Sequence, residues 1–324
     1  MDISVIVPIY GVEIYVERCL RSLFTQTKSA GVEFVLIDDC TMDRSMEIAY
    51  RVIADYPELH VRVISNEVNC GIAATRQKGI DAAMGRYTIQ IDSDDWCEPM
   101  MLERLYAKAT QDNADIVVCD YVVESDEHPS YVRLVEFDAA DPFHEYINGA
   151  INSQLWNKLV LTELLRCDDF KKYSVEFNFG EDAAMSLMLL FNARIVSKVS
   201  GAFYHYLERE NSLSRIYTTQ QCGDFIEMIS FYEKYVGDKG LLDKYREEIE
   251  TKEIEVKFLI LKNSDRQTQK RFYRAFDNLT SRIWQRCKLG AHNKLALYLA
   301  SVGYLKCANF IWYTTKFMKF IMRE

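Results

Sequence analysis

Residues 89–96 read IQIDSDDW, an apolar strand that ends by crowding Asp92, Asp94 and Asp95 into four positions. Adjacent carboxylates repel, and such a cluster is costly until a positive partner arrives. What surrounds the run decides the fold. "YTIQID" (Tyr87–Asp92) is preceded by three similar segments, "ISVIVPIY" (Ile3–Tyr10), "FVLIDD" (Phe34–Asp39) and "VRVISN" (Val61–Asn66). All are short and rich in β-branched residues, as buried parallel strands are. Between them Val16, Leu20, Leu23 and Phe24 share one helical face, and Ser45–Ala54 reads as a second helix. Gly71–Gly85 reads as a third, closed by Gly85 despite the internal Gly79. Such alternation predicts a parallel α/β sheet, whose ligands bind at the carboxyl ends of the strands. Asp38 and Asp39 end the second strand and Asp92 and Asp94 the fourth, so both acid clusters are expected on one edge.

Beyond this run come a helix (Met100–Gln111), a further strand (Ala114–Glu124), a mixed stretch (Phe143–Tyr206) and an amphipathic helical stretch (Thr219–Arg286). The chain has 324 residues, 49% hydrophobic and 27% charged, with a formal charge of −9. That composition excludes a disordered chain. From Arg282 onward there are eight Lys or Arg against Glu324 alone, which puts +7 on the tail and −16 on residues 1–281. An anionic surface is the expected partner of the tail, and no nucleic-acid partner is expected. Nine scattered cysteines without a CxxC, after a Met1 that leads straight into a strand, predict reduced thiols in the cytoplasm. No apolar run approaches the ~20 residues that span a bilayer.

Close carboxylates on a loop suit a hard dication, Mg²⁺ or Mn²⁺, which leaves coordination sites for phosphate. The alternative is a solvated acidic turn. An EF-hand is excluded, because Trp96 takes the fifth loop position and no Gly follows. No G-x-G-x-x-G follows any strand, which disfavours a dinucleotide site.

These segments, with "VIVPIYGVEIYVERCLRSLFTQT", "FVLIDDCTMDRS", "NCGIAATRQKGIDAAMGRYTIQIDSDD", "WNKL" and "GEDAAM", carry a resemblance over residues 1–215. They resemble the family-2 inverting glycosyltransferases of the GT-A fold. The resemblance implies a Rossmann-like, mostly parallel sheet flanked by helices; beyond its reach, the amphipathic pattern predicts a helical C-terminal region at 216–324. Residues 1–125 would be the nucleotide-sugar half and 126–215 the acceptor half. It also implies a nucleotide-diphosphate sugar donor, most commonly a UDP-sugar, a Mn²⁺ or Mg²⁺ ion, and single-displacement transfer to a hydroxyl of a glycan or lipid-linked acceptor.

Carried over by motif, Pro8, Tyr10 and Glu13 match the loop that holds base and ribose, and Asp39 the acid that accepts from the base. Asp92 and Ser93 fall on the nucleotide side and Asp94 at the metal. Arg76 matches an arginine near the diphosphate. Asp182 matches the catalytic base, with Glu181 raising its pKa by repulsion or binding acceptor hydroxyls; by sequence alone, "GED" also reads as an ordinary helix start. Departures are Gly11 for Asn, "TRQ" (Thr75–Gln77) for "ARN", and Cys40 and Met42 in "DDCTMD". Cys40 stands where a turn glycine is usual, and glycine enters positive φ more readily.

Further residues have two readings each. His205 is a third metal ligand or a histidine of an aromatic cluster. Trp156 stacks on an acceptor sugar or packs in the core. Lys158 touches the acceptor or pairs with an acid of the site. Arg209 and Ser212 close over the diphosphate or form a surface turn. The tail, with Phe310, Tyr313, Phe317, Phe320 and Ile321 on a broad face beside its lysines, lies peripherally on the cytoplasmic leaflet or docks on the body or in a homodimer. Besides the enzyme, the same residues admit a catalytically silent nucleotide-sugar or glycan binder, or a membrane assembly scaffold.

Overall fold

The computed structural model describes residues 1–125, 129–134, 136–137, 140–168, 170, 180–208, 217–286 and 289–321, with side chains through 314. It divides into two units, Met1–Arg209 and Glu210–Glu324.

The first unit is built on β1 (Ile3–Ile9), β2 (Val32–Asp38), β3 (His60–Ser65), β4 (Tyr87–Gln90), β5 (Trp96–Cys97), β6 (Ile116–Glu124), β7 (Ser130–Val132), β8 (Lys158–Leu161) and β9 (Val196–Leu207). Among the described residues these form one sheet in the order β3-β2-β1-β4-β8-β6-β9-β5, with β7 on β6. The first four strands are mutually parallel. β8 runs antiparallel between β4 and β6, and β6 and β9 are parallel again. The short β5 returns antiparallel to β9 and sets Trp96 opposite His205. The helices are α1 (Val16–Phe24), α2 (Ser45–Ala54), α3 (Ile72–Ala82), α4 (Met101–Asp112), α5 (Pro142–Ile147), α6 (Thr162–Leu165) and α7 (Glu181–Asn192).

Every residue of β1 is buried, as its unbroken apolar pattern requires. α1 buries Val16, Cys19, Leu20, Leu23 and Phe24 against the sheet, and Phe24 meets Phe34 edge-on at 5.0 Å. α3 stops at Ala82, before Gly85, because Ala83 is already extended. Gly85 answers a different need: a Cβ there would sit 2.4 Å from the Ser4 backbone nitrogen, so only glycine lets this turn pass β1. Gly79 is similar, since its Cβ would fall 2.4 Å from Ile6 Cγ2.

The loops after β1 and β2 are stitched together. Gly11 N donates to Thr41 Oγ1 (2.9 Å), Val12 N to Ser45 Oγ (2.9 Å) and Glu13 N to Asp43 Oδ2 (3.0 Å), while Arg44 N donates back to Glu13 Oε2 (3.0 Å). Cys40 takes the left-handed conformation at φ +57°, so the residue replacing the turn glycine keeps the glycine's backbone path.

The second unit is helical: α8 (Thr219–Asp238), α9 (Leu242–Asn263), α10 (Arg266–Phe272), α11 (Ile283–Arg286), α12 (Ala291–Ser301) and α13 (Leu305–Ile321). A capping box starts α8, with Thr218 and Gln221 each satisfying the other's backbone N–H. Ile254, Phe258, Leu261, Ile283, Leu297 and Trp312 belong to its core. Among the described residues no helix is long and apolar enough to cross a membrane. Two of the tail's cations are neutralised locally: Arg282 pairs with Glu250, and Arg286 with Glu247.

Candidate active site

Both acid clusters meet at the carboxyl edge of β1, β2 and β4. Asp39 is buried, and its carboxylate accepts from Asn66 Nδ2 (2.7 Å), Cys70 N (2.8 Å) and Gly71 N (3.0 Å). It thereby satisfies backbone donors that open α3, and one oxygen lone pair remains for a ligand. Asn66, Cys70 and Gly71 were not anticipated as partners; the available signal was that Asn66 ends its strand on this same edge. Tyr10 is 54% exposed and Glu13 is also exposed, whereas Pro8 and Ser93 are buried.

The centre of the site is Arg76, projected from α3 and only 3% exposed. Its guanidinium donates to Asp92 Oδ1 (2.7 Å), to Glu181 Oε1 (3.0 Å) and, through a very short contact, to Asp182 Oδ1. One cation thus joins the acid after β4 to the two acids that open α7. The resemblance sets Arg76 beside a diphosphate; in the structure its two terminal nitrogens donate to carboxylates, because three acids converge on one buried positive charge. Its Nε is buried without a hydrogen-bond partner among the described residues. Burial and the adjacent Asp182 push the Glu181 carboxyl up to about 7. Burial likewise raises Asp182, against the pull of Arg76. The two titrate as a pair, and a quarter of the Asp182 side chain remains accessible.

Asp94 is half-buried on the loop after β4, and Arg18 reaches its carbonyl at 3.3 Å. Among the described residues no three His, Cys, Asp or Glu side chains are grouped to cage a metal. The donor chemistry still fits a hard dication, since Mg²⁺ is commonly held by one or two carboxylates with substrate phosphates completing the shell. Asp95, the third acid of the run, belongs to the scaffold: it accepts from Tyr204 Oη (2.6 Å) and Leu207 N (2.7 Å). Burial, then Asp94 and Asp92, push its carboxyl up to about 8.

Three residues that the sequence leaves with two readings each make internal contacts. His205 has Nδ1 2.8 Å from Glu124 Oε1 and Nε2 2.9 Å from Glu98 Oε1, so neither ring nitrogen is free for a metal. Its ring stacks on Trp96, whose indole also carries the Arg18 guanidinium at 3.5 Å. Trp156 is 3% exposed and stacks on Tyr204 at 4.2 Å, which leaves no ring face for a sugar. Lys158 is fully buried, and its ammonium donates to Asn152 O (2.8 Å), Asn152 Oδ1 (3.1 Å), Asn157 Oδ1 (3.1 Å) and Gln154 O. Burial lowers its pKa to about 7, and its charge is felt by Asp182. Arg209 and Ser212 lie outside the described residues. A polar concavity of about 540 Å³ opens at the opposite end of the strands, lined by Arg86, Asp115, Arg166 and Arg194 among others. It includes none of the expected site residues.

A family model described as "Glycosyl transferase family 2" matches residues 4–176. EpsH of Bacillus subtilis (strain 168) is 28% identical over 273 residues, covering 81% of this chain and 75% of the relative. TarS of Staphylococcus aureus (strain Mu50), named poly(ribitol-phosphate) beta-N-acetylglucosaminyltransferase, is 26% identical over 256 residues, covering 77% of this chain but 43% of the relative. The crystal structure of S. aureus TarS 1–349 in complex with UDP matches the fold with a TM-score of 0.67 at 20% identity, covering 100% of this chain and 92% of that one. The mannosyltransferase PcManGT of Pyrobaculum calidifontis, in complex with GDP-Man and Mn²⁺, matches with a TM-score of 0.58 at 13% identity, covering 96% and 84%.

Proposed function

The chain belongs to glycosyltransferase family 2, and on that premise we propose that it moves a sugar from a UDP-sugar to a hydroxyl of a glycan or lipid-linked oligosaccharide, with inversion, in cell-surface polysaccharide synthesis. The observation that carries the reading is the Asp92–Arg76–Glu181/Asp182 cluster. It sets a pair of carboxyls with raised pKa values beside the edge where a nucleotide diphosphate binds in such sheets. UDP as the nucleotide is supported by the TarS complex, and a polymeric acceptor by the name of that relative.

In this scheme Asp39 accepts from the base, with Tyr10 and Glu13 shaping the loop beside it, and Asp92 lies toward the ribose. Asp182 accepts the proton of the acceptor hydroxyl. The oxygen bonds to the anomeric carbon from the face opposite the diphosphate, which leaves with the electron pair of the broken C–O bond. Glu181 receives neighbouring acceptor hydroxyls. Asp94 holds Mn²⁺ or Mg²⁺, which when bound offsets the charge gathering on the leaving diphosphate; the Mn²⁺ of PcManGT supports that choice. We place the reaction at the cytoplasmic face of a membrane, where lipid-linked acceptors are presented.

The test is Asp182→Asn, scored by UDP released from a panel of UDP-sugars and by the mass of the product. Transfer is expected to fall ~10²–10⁴-fold, the usual worth of a general base, with UDP affinity unchanged. Equal turnover would remove Asp182 from the base role. A wild-type chain that binds UDP tightly yet releases none from any donor would instead be a silent binder.

A further inference from the structure

Helices α12 and α13 form a hairpin across Val302–Tyr304, and each has two contrasting faces. Inward, Ala296, Leu297, Ala300, Leu305, Ala308 and Trp312 are buried in the core of the second unit. Outward, Leu295, Tyr298 and Val302 are exposed at positions i, i+3 and i+7 of one stripe, and Phe310 (68%) and Tyr313 (71%) at i and i+3 of another. Tyr304 at the turn is 62% exposed. Scattered apolar residues on a surface are ordinary, but a run of them on two paired helices marks an interaction face.

Charge identifies the occupant. Residues 289–324 hold Lys294, Lys306, Lys316, Lys319 and Arg323 against Glu324 alone. Arg282 and Arg286 do not contribute, being paired with Glu250 and Glu247. A two-fold dimer through this face would set the same basic surface against itself, since an isologous contact repeats one patch on both sides. A bilayer of anionic phospholipid meets both demands, with headgroup charge for the lysines and an acyl boundary for the aromatic rings. None of the described helices is apolar enough to insert across it. We propose that the outer face of the α12–α13 hairpin lies flat on an anionic membrane surface and holds the chain there peripherally. The inference goes beyond the transferase reading and does not depend on it.

The full chain is tested by co-sedimentation with phosphatidylcholine vesicles, with and without phosphatidylglycerol. Sedimentation is expected only with the anionic vesicles and is expected to fade at high salt. The Phe310→Ser/Tyr313→Ser double variant, with helical circular dichroism unchanged, is expected to bind about ten-fold or more weakly. Lys294→Glu/Lys306→Glu is expected to behave alike. The inference is overturned if wild-type chain stays in the supernatant, if both variants sediment as wild type, or if Phe310→Ser turns a solution dimer into a monomer. UDP release is assayed on the same preparations. A chain that binds vesicles but releases no UDP would keep the membrane face and lose the transferase.

Discussion

Arg76 is the residue on which the site turns, because its charge stands between Asp92 and the Glu181/Asp182 pair. A carboxyl with a raised pKa is protonated, and useless as a base, below that value; transfer is therefore expected to climb with pH above the ordinary aspartate range, as Asp182 ionises. Arg76 holds both acids down, so Arg76→Met is expected to carry the acidic limb of the kcat profile upward by about 1–3 pH units, with Arg76→Lys restoring part of the shift. An unmoved limb would reduce Arg76 to a structural role. Cys40 offers a second test at this scale. A side chain at φ +57° is strained, so Cys40→Gly is expected to stabilise the chain by about 0.5–1 kcal/mol, the left-handed penalty less glycine's extra chain entropy. Thermal melting checks this, and a loss of stability would mean that the weak Cys40 thiol contact to the Glu67 carbonyl (3.6 Å) outweighs the strain.

At the scale of elements, strands and helices of the first half were legible because period and burial agree there. β1, buried along its whole length, and α1, with one apolar face, each have a single workable placement. The reading failed where a residue serves a neighbour distant in sequence. Gly85 is a helix terminator in the one-dimensional pattern and a point of close backbone approach in the fold. Gly85→Ala is expected to cost more than Gly79→Ala, because the first new methyl meets the fixed Ser4 backbone and the second a side-chain methyl of Ile6, which yields only by turning its stiff χ1. Overpacking suggests about 1–3 kcal/mol for Gly79→Ala, partly offset by alanine's ~1 kcal/mol better helix propensity. Urea midpoints of the two variants give the comparison, and equal values would refute the backbone argument.

For the whole molecule, binding energy is linked to stability. A UDP and Mn²⁺ complex populated at 100-fold above its dissociation constant is expected to stabilise the native chain by about 2.7 kcal/mol. Asp94→Ala is expected to abolish the Mn²⁺-dependent part of that thermal shift while leaving the metal-free melt near wild type. A preserved shift would move the metal elsewhere. Local pattern is enough to prescribe the α/β alternation, the carboxyl edge that gathers Asp39, Asp92 and Asp94, and the basic, aromatic character of the tail. Those features are written in local period, strand ends and charge runs, which need no partner to be seen. Packing in three dimensions is what brings carboxylates to Arg76, sets His205 between Glu98 and Glu124, buries Trp156 and Lys158, and cancels Arg282 and Arg286 against Glu250 and Glu247. The reason is physical: whether an aromatic ring or a charge meets a ligand or a neighbour is settled by contacts between residues far apart in the chain, and those exist only once the sheet and its helices have packed.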